Sequence, residues 1–136
     1  PPAKIFLGDV GSGFIGFAIA LISLVTADEN ALIAWAMVIL LAVFISDSTV
    51  TLLRRVIKRE HLYVAHRTHA YQNLTKRVNK HVSVSLGVGA INLFWLLPIA
   101  WLVANENVVP ILGVTIAYIP VIALALFLKA GKQTVN

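Results

Sequence analysis

The chain has 136 residues, of which 59% are hydrophobic and only 12% are charged, and it contains no cysteine. Soluble domains are typically about 45–50% apolar and about 25% charged, so this composition predicts a membrane protein. The lack of cysteine excludes disulfides and thiolate metal sites.

Four apolar segments predict an all-α integral membrane protein with about four transmembrane helices. A span requires roughly 20 apolar residues, and only the third and fourth segments reach that length without their flanks. The predicted spans cover about 12–27, 31–53, 84–104 and 108–128. A long loop, about 54–81, follows the second span and carries a basic amphipathic helix. We expect residues 1–136 to form a single membrane unit.

The basic residues predict the orientation of the spans. All eleven Lys and Arg residues fall before the first span, between the second and third, or after the fourth. The two short connections, at 28–30 and 105–107, contain none. Because basic residues stay on the cytosolic side in short loops, both ends and the long loop are predicted to face the cytosol. The net charge of +5 then reflects membrane topology, and we expect no nucleic-acid partner.

The first apolar segment opens on a glycine-rich sequence. Residues 11–16 spell G-x-G-x-x-G, but no strand and no βαβ pattern accompany them, so a dinucleotide site is rejected. Gly8, Ser12 and Gly16, four residues apart, instead favour close packing against another helix.

Asp9 lies among these glycines. We expect a tight turn here and a helix beginning near Ser12, whose free N–H groups would favour phosphate. A carboxylate beside bound phosphate is the usual setting for Mg²⁺. The alternative is that Asp9 only caps the helix.

Asp47 lies near membrane depth, where an ionisable group is a functional hypothesis by default. It could equally cap a helix that restarts at Ser48, or pair with a nearby arginine. The stretch that follows places Arg54 and Arg55 opposite an apolar face. One alternative is that this stretch only anchors the protein to anionic lipid.

His66 and His69 are three residues apart and would share one face of a helix, which Gln72 continues. A zinc site would require a further ligand that the segment lacks. Phosphate or nucleotide contact suits His, Arg and Gln better. The alternative is that these are ordinary polar loop residues.

Three segments, PPAKIFLGDVGSGFIGF, DSTVTLLRR and AHRTHAYQNL, together resemble the polyprenyl-phosphate N-acetylhexosamine-1-phosphate transferases of the glycosyltransferase family 4 type. The resemblance extends to about residue 77. It implies transfer of a sugar-1-phosphate from a UDP-N-acetylated sugar to undecaprenyl phosphate, with release of UMP. The expected cofactor is Mg²⁺ and the expected location is the bacterial inner membrane, with the active-site loop in the cytosol.

The resemblance also implies roles for particular residues. Asp9 would be the metal residue, and Asp9, His66 and His69 the catalytic residues. The residues expected to bind substrate are Gly11, Ser12, Asp47, Arg54, Arg55, Arg67, Tyr71 and Gln72.

Two departures qualify the resemblance. The histidine motif, starting at His66, differs from the commoner H-I-H-H form and is similar to the subgroup that initiates O-antigen synthesis with modified N-acetylated sugars. The D-D-x-x-D cluster of the family has no counterpart. We therefore expect the chain to be the C-terminal part of a larger transferase and to be inactive alone.

The competing hypothesis is a non-catalytic four-span assembly or transport subunit whose basic loop binds membrane lipid. The sequence predicts no oligomeric state.

Overall fold

A computed structural model of the chain describes residues 8–59, 70–78, 81–128 and 130, and every regular element within them is a helix. The elements are α1 (Gly8–Glu29), α2 (Ala31–Leu40), α3 (Ala42–Ile57), α4 (Ala70–Val78), α5 (His81–Ile91), a π-helix (Asn92–Leu96), α6 (Leu97–Ala104) and α7 (Pro110–Phe127).

These helices confirm the predicted all-α integral membrane fold. Three helical stretches in the described part are long and apolar enough to span a bilayer: Val10–Glu29, His81–Ala104 and Pro110–Phe127. The pair α2 and α3 gives a fourth span if it is counted as one element. Large apolar side chains such as Phe14, Phe44 and Phe127 are about three-quarters exposed, as is expected where lipid replaces water as the solvent.

The second segment is bent rather than straight. The sequence predicts one span over 31–53, but α2 and α3 meet at Leu41 with an angle of 63° between them. No glycine or proline lies at the bend; Leu41 itself leaves helical geometry, with φ −84° and ψ 2°. The last carbonyls of a helix lack partners within it, and Tyr118 Oη on α7 donates to the carbonyl of Val38 at 2.9 Å. A contact from a distant helix thus supports the end of α2.

The third span contains a π-helical turn. The N–H of Leu97 bonds to the carbonyl of Asn92 five residues earlier, and Pro98 follows directly. Proline has no N–H to donate and its ring clashes with the preceding turn, so the wider turn accommodates Pro98 within one continuous span. The Asn92 side chain donates to the carbonyl of Val88 at 3.1 Å, which satisfies an amide at membrane depth.

The apolar core lies where α2, α6 and α7 pack together. Its buried members are Ala36, Ile39, Ala42, Leu96, Ala100, Val103, Ala117 and Val121. Several are alanines, which let the helices approach closely, as small residues do in membrane bundles. This core fixes α2 against α7 and so sets the position of α3 beyond the bend.

The helix α1 packs on α2 alone among the major contacts, and no residue of its apolar window is buried. The prediction that this helix begins near Ser12 is wrong, because residues 8–13 are already helical. The glycines cost helical stability of up to about 1 kcal/mol each, but in lipid the helix is the one local structure that satisfies every backbone group. Within the described chain, a Cβ added at Gly16 would meet nothing within 4 Å, so the predicted close packing is not formed there.

The described contacts place the helix ends at two opposite ends of the bundle. Going along the chain, α2 and α3 run in the same direction as α7, since Val38 meets Tyr118 and Arg54 meets Ala130. The connection at Asn30 and the connection at 105–109 therefore lie at one end. The start of α4 and the end of α7 lie at the other.

Candidate active site

A buried polar stripe runs along α3. Asp47, Thr51 and Arg55 are four residues apart and therefore share one face of the helix. They are 8%, 1% and 5% exposed, respectively. Polar groups are costly to bury without partners, so this face identifies the part of the bundle where the sequence departs from simple apolar packing.

The carboxylate of Asp47 lies against the first residue of α4. Its Oδ1 accepts a hydrogen bond from the backbone N–H of Ala70 at 2.7 Å and a longer one from Thr51 Oγ1 at 3.4 Å. The idea that Asp47 caps a helix restarting at Ser48 is wrong, because α3 runs unbroken from Ala42 to Ile57. Asp47 instead caps α4, a helix that begins 23 residues later.

Two further hydrogen bonds join this region to the end of α7. Asn73 Nδ2 on α4 donates to the carbonyl of Leu128 at 3.4 Å, and Arg54 Nη1 on α3 donates to the carbonyl of Ala130. Carbonyls at a helix C-terminus need such partners, and a cation there also interacts favourably with the helix dipole. The ends of α3, α4 and α7 are thereby tied into one unit.

These contacts change the predicted role of the basic stretch. The sequence places Arg54 and Arg55 on the outer, headgroup-facing side, opposite an apolar face. In the structure Arg55 is buried and Arg54 reaches α7, whereas Leu53 and Ile57 on the apolar face are 55% and 79% exposed. The apolar face is the outer one because this helix packs its polar face inside a membrane bundle.

An open groove of about 720 Å³ runs between the bent pair α2–α3 and α5. Its walls are mainly apolar, with Leu40, Phe44 and Val88 among the lining residues. Because α3 and α5 run in opposite directions along it, Asp47 and Tyr71 lie at one end of the groove. Asn92 lies at the other end. A second cavity of about 140 Å³ continues beneath α4.

The structure brings together some of the predicted site residues. Asp47 and Tyr71 both line the groove, while Gly11 and Ser12 lie in α1 and are not among the residues that line the groove or the cavity beneath α4. Arg54 reaches the end of α7, and Arg55 is buried within the bundle. The remaining predicted residues lie wholly or by their side chains outside the described part: Asp9, His66, Arg67, His69 and Gln72.

No three His, Asp or Glu side chains cluster closely enough to hold a metal ion in the part of the chain that the structure describes. Magnesium is usually held by one or two carboxylates together with substrate phosphates and water, and a single carboxylate such as Asp9 fits that manner of binding.

Sequence reasoning did not include three polar residues of this region among the expected site residues. Thr51 and Asn73 are buried at 1% exposure each, and Asn92 lines the far end of the groove. For Asn92 a signal was present, since an amide inside a predicted span is unusual. Thr51 lies four residues after Asp47, so a helical pattern places both on one face. A search for further polar residues on that face would have found Thr51. Nothing in the sequence pairs Asn73 with Leu128.

The chain is similar, over part of its length, to a bacterial protein named as a transferase. It is 32% identical over 75 residues to the Bacillus subtilis (strain 168) protein named "Probable undecaprenyl-phosphate N-acetylglucosaminyl 1-phosphate transferase". The matched region is 54% of this chain and 21% of the relative, so the chain spans about a fifth of the length of the relative that it matches. No family model and no solved structure matches the chain. The similarity supports the resemblance at the level of the family and not of the O-antigen subgroup.

Proposed function

We propose that this chain forms part of an inner-membrane transferase that moves an N-acetylated sugar-1-phosphate from a UDP-sugar to undecaprenyl phosphate, giving undecaprenyl-diphospho-sugar and UMP. The product would start O-antigen or another cell-envelope glycan. The observation that carries the proposal is the apolar groove that ends at Asp47 and Tyr71. The partial similarity to an undecaprenyl-phosphate transferase supports it independently.

The groove suits a polyprenyl phosphate in shape and polarity. An isoprenoid tail is apolar along its length and carries its charge at one end. The groove has apolar walls, and its one carboxylate, Asp47, and the hydroxyl of Tyr71 lie at the end that also carries Arg54. Each buried CH₂ contributes about 0.8 kcal/mol, so even a short stretch of tail in this groove would hold the acceptor firmly.

The charge-handling part of the reaction falls to the residues around the groove's polar end. Phosphoryl transfer depends on positioning and on neutralising the phosphate oxygens. Bound Mg²⁺ would supply positive charge to the diphosphate, and Asp9 is the residue we assign to hold it. The distribution of basic residues predicts that the start of α1 and the loop before α4 both face the cytosol, which would bring Asp9 to the side of the membrane where the groove's polar end lies. The exposed Lys58 and Arg59 would attract the anionic donor.

The substitution Asp9→Asn in the native membrane protein tests the metal assignment. Asp9 is the second residue of α1, and losing one negative charge in the first turn of a helix costs only about 0.3–1 kcal/mol, so a purely helical role would leave both folding and turnover nearly unchanged. If Asp9 holds Mg²⁺, expression stays normal, transfer of radiolabelled sugar-phosphate to undecaprenyl phosphate collapses, and extra Mg²⁺ restores a little of it.

Asp28→Asn is the matched control, because Asp28 lies near the end of α1 at the opposite end of the bundle. It should leave the rate unchanged. We would abandon the metal assignment if Asp9→Asn kept most of the wild-type rate at limiting Mg²⁺. Absence of any transfer by the wild-type protein, with several UDP-N-acetylated sugars offered, would count against the function itself.

A further inference from the structure

We infer that Asp47 is a positioning residue: it holds α4 at the polar end of the groove through the backbone N–H of Ala70, and it does not bind metal or substrate. This inference rests on the proposed function for its catalytic consequence, but its structural part stands on contacts alone. A buried carboxylate at membrane depth invites a catalytic interpretation, and the geometry points to a different one.

The hydrogen bond from Ala70 occupies the carboxylate oxygen that faces α4. The distance of 2.7 Å is short for an N–H donor and is typical of a charged acceptor. The first N–H groups of a helix lack partners within it, and a negative charge beside them is favourable. A cap normally comes from the residue just before the helix. Here it comes from α3, so the bond fixes where α4 lies as well as where it begins.

The helix α4 depends on such contacts because it has only nine residues. Isolated helices shorter than about 12–15 residues are marginal in water. Besides Asp47, Asn73 ties α4 to the end of α7. Ala70 packs in a small apolar cluster with Val50, Ala125 and Leu128. The charged hydrogen bond to Asp47 therefore joins this short helix to α3, and the hydrogen bond from the Asn73 side chain joins it to the end of α7.

The position of α4 matters because of what adjoins it. Tyr71, the residue after Ala70, lines the groove. In the sequence, Ala70 directly follows His69, the last residue of the predicted histidine motif. Anchoring Ala70 to α3 thus fixes one end of the segment that we expect to contact the nucleotide, relative to the groove that we expect to hold the acceptor. Misplacing reacting groups by about 1 Å can cost roughly 100-fold in rate.

Hydrogen exchange on the purified 136-residue chain in detergent tests the structural part without any activity. Asp47→Ala removes the acceptor for Ala70, and exchange across the peptide 70–78 should become about 10- to 100-fold faster, as expected for loss of a charged hydrogen bond. Asp47→Asn keeps an acceptor oxygen of the same shape and should stay within about threefold of wild type. Thr75→Ala is the control on the same helix, because Thr75 bonds only to the carbonyl of Tyr71; it should change little.

Transfer assays on the native membrane protein test the catalytic part. Positioning predicts that Asp47→Asn keeps kcat within about threefold, while Asp47→Ala lowers kcat by about 10- to 100-fold. Unchanged exchange in Asp47→Ala would overturn the inference. Loss of activity in Asp47→Asn with exchange still protected would also overturn it, because the carboxylate charge itself would then be needed.

Two outcomes keep the inference and the proposed function apart. If Asp47→Ala does not fold, which helical circular dichroism would show, Asp47→Asn decides by the same two readouts, hydrogen exchange and transfer activity. Asn73→Ala removes the hydrogen bond between α4 and the end of α7, and it should speed up hydrogen exchange across the peptide 70–78. Exchange that follows the prediction in a protein without transferase activity would support the positioning role and reject the function.

Discussion

Gly113 on α7 lies where α7 crosses α6 and α2. Replacing Gly113 with alanine tests the packing of the apolar core that holds α2, and with it one wall of the groove, in place. A Cβ at this position would overlap Cγ2 of Val103 and come within 3.4 Å of Cδ1 of Ile39. Both neighbours are fully buried. Valine is stiff about χ1, so Val103 cannot turn aside without straining its own helix. We expect Gly113→Ala to push α6 and α7 apart.

The magnitude follows from two opposing effects. Overpacking a well-packed core costs about 1–3 kcal/mol, whereas replacing glycine by alanine inside a helix gains about 0.8–1 kcal/mol. Gly87→Ala on α5 is the matched control. A Cβ at this position meets nothing within 4 Å, so this variant should show only the stability gained from the higher helix propensity of alanine. The free energy of unfolding of Gly113→Ala should therefore lie about 1–3 kcal/mol below that of Gly87→Ala.

Reversible unfolding in mixed micelles, followed by the fluorescence of the three tryptophans, measures this difference. The double variant Gly113→Ala/Val103→Ala should recover stability relative to the sum of the single changes, because the shortened side chain makes room for the new methyl group. The packing argument fails if the two glycine variants unfold within about 0.5 kcal/mol of each other, the range usual for uncoupled sites.

Two further predictions concern topology and the groove. A reporter fused after Arg77 should be cytosolic and one inserted at Asn105 periplasmic; the reverse pattern would remove the loop from its UDP-sugar and refute the proposed function. Ser85 lines the groove, and Ser85→Trp should narrow it enough to exclude about two methylene groups of the acceptor's tail. At about 0.8 kcal/mol for each methylene, the KM for undecaprenyl phosphate should rise about 15-fold. The KM for the UDP-sugar should stay constant. Leu86→Trp, on the adjacent lipid-facing position, should change neither; equal effects of both tryptophans would mean that the groove does not hold the tail.

The sequence predicts the membrane class and the helical spans because these depend on composition and on the length of apolar runs. A bilayer leaves the backbone few alternatives to helix, so glycines around Ser12 and a proline at position 98 do not prevent helix formation. The same physics explains why the start of α1 was predicted wrongly. Rules for glycine in turns come from water, where an interrupted helix can bond to solvent.

The bend at Leu41 could not be predicted from its own neighbourhood. Residues 36–45 are uniformly apolar, with no glycine, proline or polar side chain to mark a break. The hydroxyl that supports the end of α2 belongs to Tyr118, which is 80 residues away in sequence. A kink held by tertiary contact leaves no local signal. Residues on both sides of this bend line the groove, so the shape of the groove was also invisible to sequence reasoning.

The orientation of α3 shows what periodicity can and cannot decide. The pattern correctly separates a polar face, with Arg55, from an apolar face, with Leu53 and Ile57. It does not say which face is inside, because that depends on the surrounding solvent. Against water the apolar face would be buried, but lipid solvates that face and leaves the polar face to find partners within the bundle. Asp47 is part of that polar face, which is why its carboxylate is buried and bonds to the first residue of α4 and does not cap a helix restarting at Ser48.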